Sequence, residues 1–469
     1  MGNPFSENRP ISAEEQNIRR SLRRPRLLRV FCRVAGMVAV TLLGGFLLSS
    51  LLAAQPKRQF PDTSQTIRVY VDQLPGQLTR SQLRFAASHY VGTQKLLSQQ
   101  IDLLRMQNPD FLMLHYRLGT RQAEPRVIHI HMDRWTTDWD EVDRHDDWFI
   151  YTRGPARQRV YQLVSGNREY IMDISGRYNG NTQNGWKEYW VKTVIAEARA
   201  CHADGVFADS THPPYAVPPE LNDSPLGAPP YLGYISHLEE FYEYVYKKLD
   251  EAGVYFIPNI GHLITAWDAT EGYYKNVHGA MVEGFGFRGN TTDWRLQQNR
   301  TLKLLHNGKI YIAQSGARAE DIQERLWYLA NFLLLKHDRS YVNIFVRDPG
   351  LEGQLHWWPE YELQLGRPVR PLPKTIDECR HGTGVYYREF ERGLVLVNPQ
   401  PTAQTVRLAG DQLYQRVVPW GGGMVDSSGR PPRGGIQLHD CPREIQLPAW
   451  SGMILLKASS QTKPEEKSP

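Results

Sequence analysis

Short apolar runs alternate with longer amphipathic stretches over most of the chain. Eight runs have the length and composition of buried strands, at residues 83–90, 111–118, 170–175, 205–210, 254–259, 280–285, 310–315 and 341–345. Helical periodicity fills most of the intervals, as in residues 186–203, 233–252 and 319–336. Eight β/α units predict a (β/α)8 TIM barrel over residues 81–372. The doubly wound alternative would require a GxGxxG motif directly after the first strand, and none is found at that place.

The pattern changes beyond Pro371 to short strands separated by Gly, Pro and Asp. The segments are GVYYREF, GLVLVNP, QTVRLA, YQRVVP, REIQLP and GMILLKA. Their spacing predicts a C-terminal all-β sandwich over residues 380–458, followed by a disordered tail at 459–469.

The N-terminal region contains an apolar run without charges at residues 34–54. A helix of this length spans a hydrocarbon core, and basic flanks face the cytoplasm. We therefore expect a cytoplasmic basic tail (1–33), a single transmembrane helix (34–54), a linker (55–80) and an extracytoplasmic, periplasmic barrel. A cleaved signal peptide, ending near Ala53 and Ala54, is the alternative and would make the protein secreted.

Composition and charge narrow the function classes. The chain has 12 Trp, 24 Tyr and 15 Phe, as expected for a folded protein. The net charge is +5, but eight arginines lie within the first 33 residues, so we expect no nucleic-acid partner. The four cysteines show no zinc-binding spacing, although Cys379 and Cys441 could pair in an oxidising compartment.

Acidic residues at the ends of predicted parallel strands are the clearest candidates for chemistry, because a buried strand has no packing use for a carboxylate there. Asp209 ends predicted strand four, and Glu283 lies at the end of strand six. Glycoside hydrolysis requires two such carboxylates. Asp173 ends predicted strand three, where a supporting role beside Asp209 is equally compatible with the pattern. A structural hydrogen-bond network is the alternative for each acid.

Other side chains at or beyond strand ends are candidates for binding sugar hydroxyls: His89, His115, Tyr116, Asn259, His262 and Gln314. Four tryptophans are candidates for stacking on sugar rings, with simple packing as the alternative: Trp267, Trp294, Trp357 and Trp358.

A second enzyme class is suggested by the HxH pattern of His129 and His131, which would place two imidazoles on one face of a strand and resembles the metal sites of amidohydrolase barrels. The run falls between predicted strands two and three, and matching histidines on strands five and six are missing. We therefore predict neither a metal site nor a cofactor.

Several segments, in order, resemble a hypothetical glycosyl hydrolase-like TIM-barrel family related to the alpha-1,4-polygalactosaminidases. They are FAASHYVGTQKL, LMLHYRLG, WFIY, IMDIS, GWKEYWV, DGVFADS, VEGFG and HWWPEYELQLGRP, and the resemblance covers residues 83–371. It implies an eight-stranded barrel with Asp209 and Glu283 in its mouth. The placement on strands four and six is similar to that in retaining alpha-galactosidase-type barrels, which implies Asp209 as nucleophile and Glu283 as general acid/base.

Together these observations predict a membrane-anchored glycoside hydrolase that acts on an exopolysaccharide or surface glycan. The alternative is a non-catalytic carbohydrate-binding scaffold of the polysaccharide-export machinery, since fold does not fix function.

Overall fold

The structure is a computed structural model that describes residues 57–458, apart from residues 97, 125–137, 165, 181–184, 222, 266–267, 269, 352 and 383. The predicted basic tail, anchor and C-terminal tail, together with His129, His131 and Trp267, lie outside the described residues. Within the described ranges, no helix is both long enough and apolar enough to cross a bilayer.

Eight parallel strands form a sheet that nearly closes into a barrel. In chain order they are β1 (Val69–Val71), β2 (Tyr90–Gln94), β3 (Leu112–Leu118), β4 (Gly205–Asp209), β5 (Tyr255–Pro258), β6 (Gly279–Glu283), β7 (Ile310–Ala317) and β8 (Ser340–Val346). Val69 of β1 pairs with Val342 of β8. Between β5 and β6 the pairing is reduced to a bridge between Asn259 and Met281, beside a 3.0 Å hydrogen bond from Ile260 N to Met281 O. The predicted eight-stranded parallel barrel is confirmed in this nearly closed form.

Helices follow most of the strands. The longer helices of the described chain are α1 (Arg80–His89), α2 (Ser98–Gln107), α3 (Trp186–Ala200), α4 (Leu232–Glu251), α5 (Thr291–His306) and α6 (Ile322–Leu335). Shorter helical turns occur at Trp139–Val142, Asp146–Trp148, Pro219–Leu221, Gly272–Lys275, Pro359–Glu362 and Ile376–Cys379. Between β5 and β6 the described residues form only the short helical turn at Gly272–Lys275. This agrees with the reduced pairing of these two strands.

Two of the strand predictions are wrong, and one strand is missed. Residues 83–90, predicted as strand one, belong mostly to α1, which begins with a capping box formed by Thr79 and Gln82. The true first strand is β1, inside the segment predicted as a linker, and its three residues are too few to show a period. Residues 170–175, predicted as strand three, lie outside the barrel. The barrel has one strand more than predicted before residue 111 and one fewer between residues 118 and 205. Strands four to eight therefore keep their predicted numbers.

A long excursion separates β3 from α3. It contains a small antiparallel sheet of Arg121–Ala123, Tyr161–Val164 and Asn167–Ile171, with the last strand in the centre. Met172 is bridged to Phe149 just beyond this sheet. The excursion begins directly after β3, at the end of the barrel where the parallel strands terminate.

The opposite end of the barrel is filled by aromatic side chains. The ring of Phe60, from the segment before β1, lies 6.0 Å from the ring of Tyr70, 5.2 Å from that of Tyr255 and 5.3 Å from that of Tyr341, measured between centroids. All four residues are buried. Because the strands begin at this base, the packing leaves the other end, the mouth, as the place for a ligand.

The C-terminal region is all-β, and all six predicted strands are present. They are β9 (Tyr386–Phe390), β10 (Gly393–Asn398), β11 (Gln404–Arg407), β12 (Tyr414–Gly421), β14 (Glu444–Leu447) and β15 (Ser451–Lys457). The structure adds β13 (Gly434–Asp440) and a short pair formed by His356–Trp357 and Gly423–Met424. The main sheet has the order β9-β10-β15-β12-β13, and β11 pairs with β14. Cys379 and Cys441 are both free thiols.

The strands β10 and β15 of the main sheet are buried on both faces. Leu394 and Leu396 point toward β11 and β14, where they pack with Val406 and Ile445 in a small separate core. The alternate residues of β10 join the barrel core instead, as strand periodicity requires. On that side β15 lies directly on α6: a side chain at Gly452 would approach the Ala330 Cβ to 2.6 Å.

A buried ion pair joins α6 to the turn at Pro359–Glu362. Arg325 Nε lies 2.6 Å from Glu360 Oε1, and both side chains are almost fully buried. The guanidinium also donates to Ala319 O at 2.6 Å and lies 4.2 Å from the centre of the Trp358 ring. The pair therefore fixes the segment that leads from the barrel into the C-terminal sheets.

We expect Glu360→Gln to lower the free energy of unfolding by about 3–5 kcal/mol, because it leaves the buried Arg325 charge uncompensated. Guanidinium denaturation followed by tryptophan fluorescence would measure the loss. The exposed Glu320→Gln is the matched control and should change little. Arg325→Met combined with Glu360→Gln should recover part of the stability, and an unchanged stability of Glu360→Gln alone would contradict the interpretation.

Candidate active site

Each barrel strand contributes a polar side chain at or near its carboxyl end. In strand order these residues are Asp72, Gln94, Tyr116, Asp209, Asn259, Glu283, Gln314 and Asn343. Four of them (Asp72, Glu283, Gln314 and Asn343) line a cavity of about 230 Å³. Some neighbours are joined by hydrogen bonds, for example from Asn343 Nδ2 to Gln314 Oε1 at 3.0 Å. The barrel therefore gathers a polar ring, with one side chain from each strand, in its mouth.

Asn259 connects the two acids that the sequence singles out. Its amide nitrogen Nδ2 donates to Asp209 Oδ1 at 3.0 Å and to Glu283 Oε2 at 2.6 Å. Its amide oxygen accepts from Gly261 N at 2.9 Å, which fixes the orientation of the amide. The two carboxylates are thus held on either side of one donor group.

Asp209 receives two further hydrogen bonds. Tyr116 OH donates to Oδ2 at 2.7 Å, and the backbone N–H of Ser210 donates to Oδ1 at 2.8 Å. Ser210 adopts a left-handed backbone conformation with φ of 51°, which is unusual for a residue with a side chain. The donors complement the negative charge of the carboxylate and restrict its rotation.

Glu283 is electrostatically different from Asp209. Burial raises the pKa of Glu283 above its ordinary value, and the nearby charge of Asp209 raises it further. The hydrogen bond from Asn259 and the charge of Lys95 act in the opposite direction. The protonated form of Glu283 is therefore favoured relative to that of an exposed glutamate.

A cation lies in the mouth beside these acids. Lys95 Nζ forms a 2.9 Å ion pair with Asp72 Oδ2 and lies 5.1 Å from the centre of the Tyr116 ring. Burial lowers the pKa of Lys95, but the charges of Asp72, Asp209 and Glu283 outweigh burial and raise it overall. The amine is thus held in its charged form.

The excursion adds a third carboxylate behind Asp209. Glu169 is buried, and its Oε2 accepts from Gln162 Nε2 at 3.0 Å and lies 3.7 Å from Arg121 Nη1. Burial raises the pKa of Glu169, Arg121 lowers it, and the charge of Asp209 raises it. The excursion therefore forms part of the wall of the site.

The loop after β4 places an aromatic side chain near the acids. Arg121 Nη2 donates to His212 O and Pro213 O, each at 2.8 Å, and the ring of Tyr215 packs against the His212 ring at 4.3 Å between centroids. Tyr215 is 53% exposed. The loop thus presents an accessible aromatic ring on a buried support.

Three of the predicted substrate-binding residues lie away from the mouth. Asp173 is buried in the excursion, where it accepts from Ser175 Oγ at 3.0 Å and from Asn179 N at 3.1 Å. His115 faces α3 and lies 2.8 Å from Glu197 Oε2. His89 ends α1 at the amino end of β2, with its ring stacked on Phe85.

Tyr116, Asn259, Gln314 and His262 lie at the mouth. The ring of His262 packs over Gly284, since a side chain at position 284 would come within 2.4 Å of it. Gly284 directly follows Glu283 and has a φ of 71°, so this close approach suits glycine.

The described candidate tryptophans lie in the core. Trp294 is fully buried and donates to Asn331 Oδ1 at 2.7 Å, and Trp358 is buried beside Arg325. Trp357 is buried among the rings of α1 and β2. These three tryptophans therefore pack in the core and do not offer a face for stacking on sugar rings.

Sequence reasoning missed Asp72, Gln94, Lys95, Asn343 and Tyr215. Asp72 follows the apolar run VYV, so recognising β1 would have exposed it by the same rule that identified Asp209. Asn343 interrupts the run YVNIF, which the apolar pattern predicts as a strand. For Lys95 and Tyr215 no sequence signal is evident, because their positions depend on loop conformation.

Comparisons with solved structures return several glycoside hydrolases. The glycoside hydrolase domain of PelA from Pseudomonas aeruginosa is 14% identical, with a TM-score of 0.38, and the match covers 61% of this chain and 96% of that one. A GH27 β-L-arabinopyranosidase from Geobacillus stearothermophilus is 10% identical, with a TM-score of 0.39 and coverage of 86% and 98%. The pullulanase of Bacillus acidopullulyticus is also 10% identical, with a TM-score of 0.41 and coverage of 88% and 63%.

No curated protein matches the sequence. The model of hypothetical glycosyl hydrolase family 15 matches residues 105–394, which is more than half of the chain and includes Asp209, Asn259 and Glu283. The resemblance to a glycosyl hydrolase-like family is therefore confirmed, and with it the prediction of a glycosidase. The chain belongs to hypothetical glycosyl hydrolase family 15.

Proposed function

We propose that the protein is a retaining glycoside hydrolase, with Asp209 as nucleophile and Glu283 as general acid/base. The bridging amide of Asn259 carries the proposal. Because one nitrogen lies 3.0 Å from Asp209 Oδ1 and 2.6 Å from Glu283 Oε2, these oxygens are separated by at most the sum of the two distances, about 5.6 Å. Retaining enzymes separate their carboxyl groups by about 5–5.5 Å, and inverting enzymes by about 6.5–9.5 Å.

The environments of the two acids support different roles. A general acid must be protonated before reaction, and burial together with the Asp209 charge raises the pKa of Glu283. A nucleophile must be ionised, and Asp209 faces three hydrogen-bond donors, from Tyr116, Asn259 and Ser210. The pair thus meets the requirements of acid and nucleophile.

In the first step Glu283 donates its proton to the glycosidic oxygen while a carboxylate oxygen of Asp209 attacks the anomeric carbon. The bond to the leaving sugar breaks, and a glycosyl ester forms on Asp209. In the second step the Glu283 carboxylate takes a proton from water, the water oxygen attacks the anomeric carbon, and the ester bond breaks. Glu283 regains its proton, and Asp209 its charge.

The mouth is suited to a polymeric carbohydrate. The polar ring supplies donors and acceptors for hydroxyl groups, and Tyr215 offers a half-exposed ring on which a sugar face can stack. We propose an exopolysaccharide or surface glycan as the substrate, because the apolar run at residues 34–54 is of the length of a membrane anchor and would place the barrel outside the cytoplasm.

We expect Glu283→Gln to lower the turnover of a cleaved glycan by about 10²–10⁴-fold, the usual contribution of a general acid, and Asp209→Asn to lower it at least as far. The full chain, purified in detergent, would be assayed for released reducing ends on a panel of bacterial exopolysaccharides. Asp411→Asn and Glu320→Gln, at exposed positions, are matched controls. Glycan binding without cleavage by the wild type would favour the scaffold alternative.

The stereochemistry of the product tests the roles of the two acids. Two successive displacements at the anomeric carbon should give a first-formed sugar with the configuration of the substrate. Proton NMR during the first minutes of cleavage, before mutarotation, distinguishes the anomers. An inverted product would show that Asp209 activates water instead of attacking the sugar.

The alkaline limb of kcat/KM should report Glu283, since activity is lost when the general acid deprotonates. Lys95 lowers the pKa of Glu283 through its charge. Lys95→Met should therefore raise that pKa and move the alkaline limb to higher pH. Lys247→Met, on the exposed face of α4, should leave the limb in place, and a shift of the Lys95→Met limb to lower pH would refute the assignment.

A further inference from the structure

A second cavity, of about 420 Å³, lies at the base of the barrel. Its charged lining consists of Asp62, Lys336, Asp338, Arg367, Arg370 and Arg388. Asp62 precedes β1, and Lys336 and Asp338 precede β8, so the cavity is on the side where the strands begin. Phe60 and its aromatic neighbours fill the barrel between this cavity and the mouth, so the cavity is separate from the catalytic site.

Two of the cations are deeply buried without a carboxylate partner. Lys336 is 2% exposed and Arg388 is 5% exposed. Arg388 Nη1 donates to Leu334 O and Lys336 O, each at 2.8 Å, and Lys336 Nζ donates to Thr63 O. These acceptors are neutral carbonyls. Among the described residues, none of the four cations of the lining forms an ion pair.

The acids of the lining do not balance this charge. Four cations face two aspartates, which leaves an excess of two positive charges. Asp62 accepts from the backbone N–H of Ser64 at 2.6 Å, and Asp338 is paired with His337. Burial and the charge of Arg388 lower the pKa of Lys336 to about 8, and burial lowers that of Arg388 to about 10. Buried cations of this kind are normally paired, because their desolvation is costly.

We propose that this cavity binds a phosphate group. The buried ammonium of Lys336 would neutralise the anion at the floor, while the exposed guanidinium groups of Arg367 and Arg370 can each present two parallel N–H donors to its oxygens. A phosphate dianion also matches the excess of two charges.

Phosphate oxygens are offered both by free phosphate, which is mainly a dianion at pH 8, and by the phosphodiester of a lipid headgroup, which carries one negative charge. The two sources differ in charge and in the groups attached to the phosphate, so their affinities for the cavity distinguish them.

The first experiment uses isothermal titration of the full chain in nonionic detergent with inorganic phosphate, against chloride at equal ionic strength. We expect Arg367→Gln combined with Arg370→Gln to weaken phosphate binding about tenfold or more. Both positions are exposed, so the variant should fold, which circular dichroism would check. The matched control, Arg84→Gln with Arg416→Gln, removes the same charge elsewhere on the surface and should bind within about twofold of the wild type.

A second arm titrates glycerophosphoglycerol, the deacylated headgroup of phosphatidylglycerol. Tighter binding of this diester than of inorganic phosphate identifies a lipid headgroup as the ligand, and the reverse identifies free phosphate. At pH 8, where roughly half of the Lys336 side chains carry no proton, binding should take up protons, and Lys336→Met should abolish the uptake. Absence of binding for both ligands, or equal affinity of the arginine variant and its control, overturns the proposal.

Discussion

One amide group, that of Asn259, holds two carboxylates together in a partly enclosed mouth. Like charges at this separation repel, and the repulsion is stronger where water is scarce. The amide donor between the carboxylates offsets part of this repulsion. The raised pKa of Glu283 reduces the repulsion further, because it favours the neutral form of that residue. The arrangement depends on parallel strands, because only these bring the ends of β4, β5 and β6 to one edge. The barrel is therefore the condition for the acid pair.

The residues after β2, β4 and β6 share a further property: Lys95, Ser210 and Gly284 all have left-handed backbone conformations. For Lys95 and Ser210 such a conformation costs about 1–2 kcal/mol each. Turning the chain at once after these strands keeps the side chains of Asp209 and Glu283 near the axis of the barrel. Some local stability is thus exchanged for the position of the mouth residues.

Much of the barrel could be predicted from sequence, since strands four to eight are apolar runs of ordinary length. The contrast between apolar strand residues and the polar residues within them also revealed Asp209 and Glu283. Prediction from apolar runs failed at β1, whose three residues show no period, and at α1, whose apolar residues resemble a strand. His115 and Tyr116 show a different limit. They are adjacent, so only one can face the axis, and the sequence does not say which.

The C-terminal sheets also bear on how the molecule is organised. Among the described residues, only short helical turns follow β8. Helix α6 is buried on almost every side: it packs against β15 and accepts a hydrogen bond from Arg388 of β9. Val395 and Ile454 belong to the same core as the barrel strands. The family match likewise continues past the barrel to residue 394, inside β10. A gene shortened to end after β8 would therefore encode a barrel in which α6 and the adjoining apolar core side chains are left uncovered.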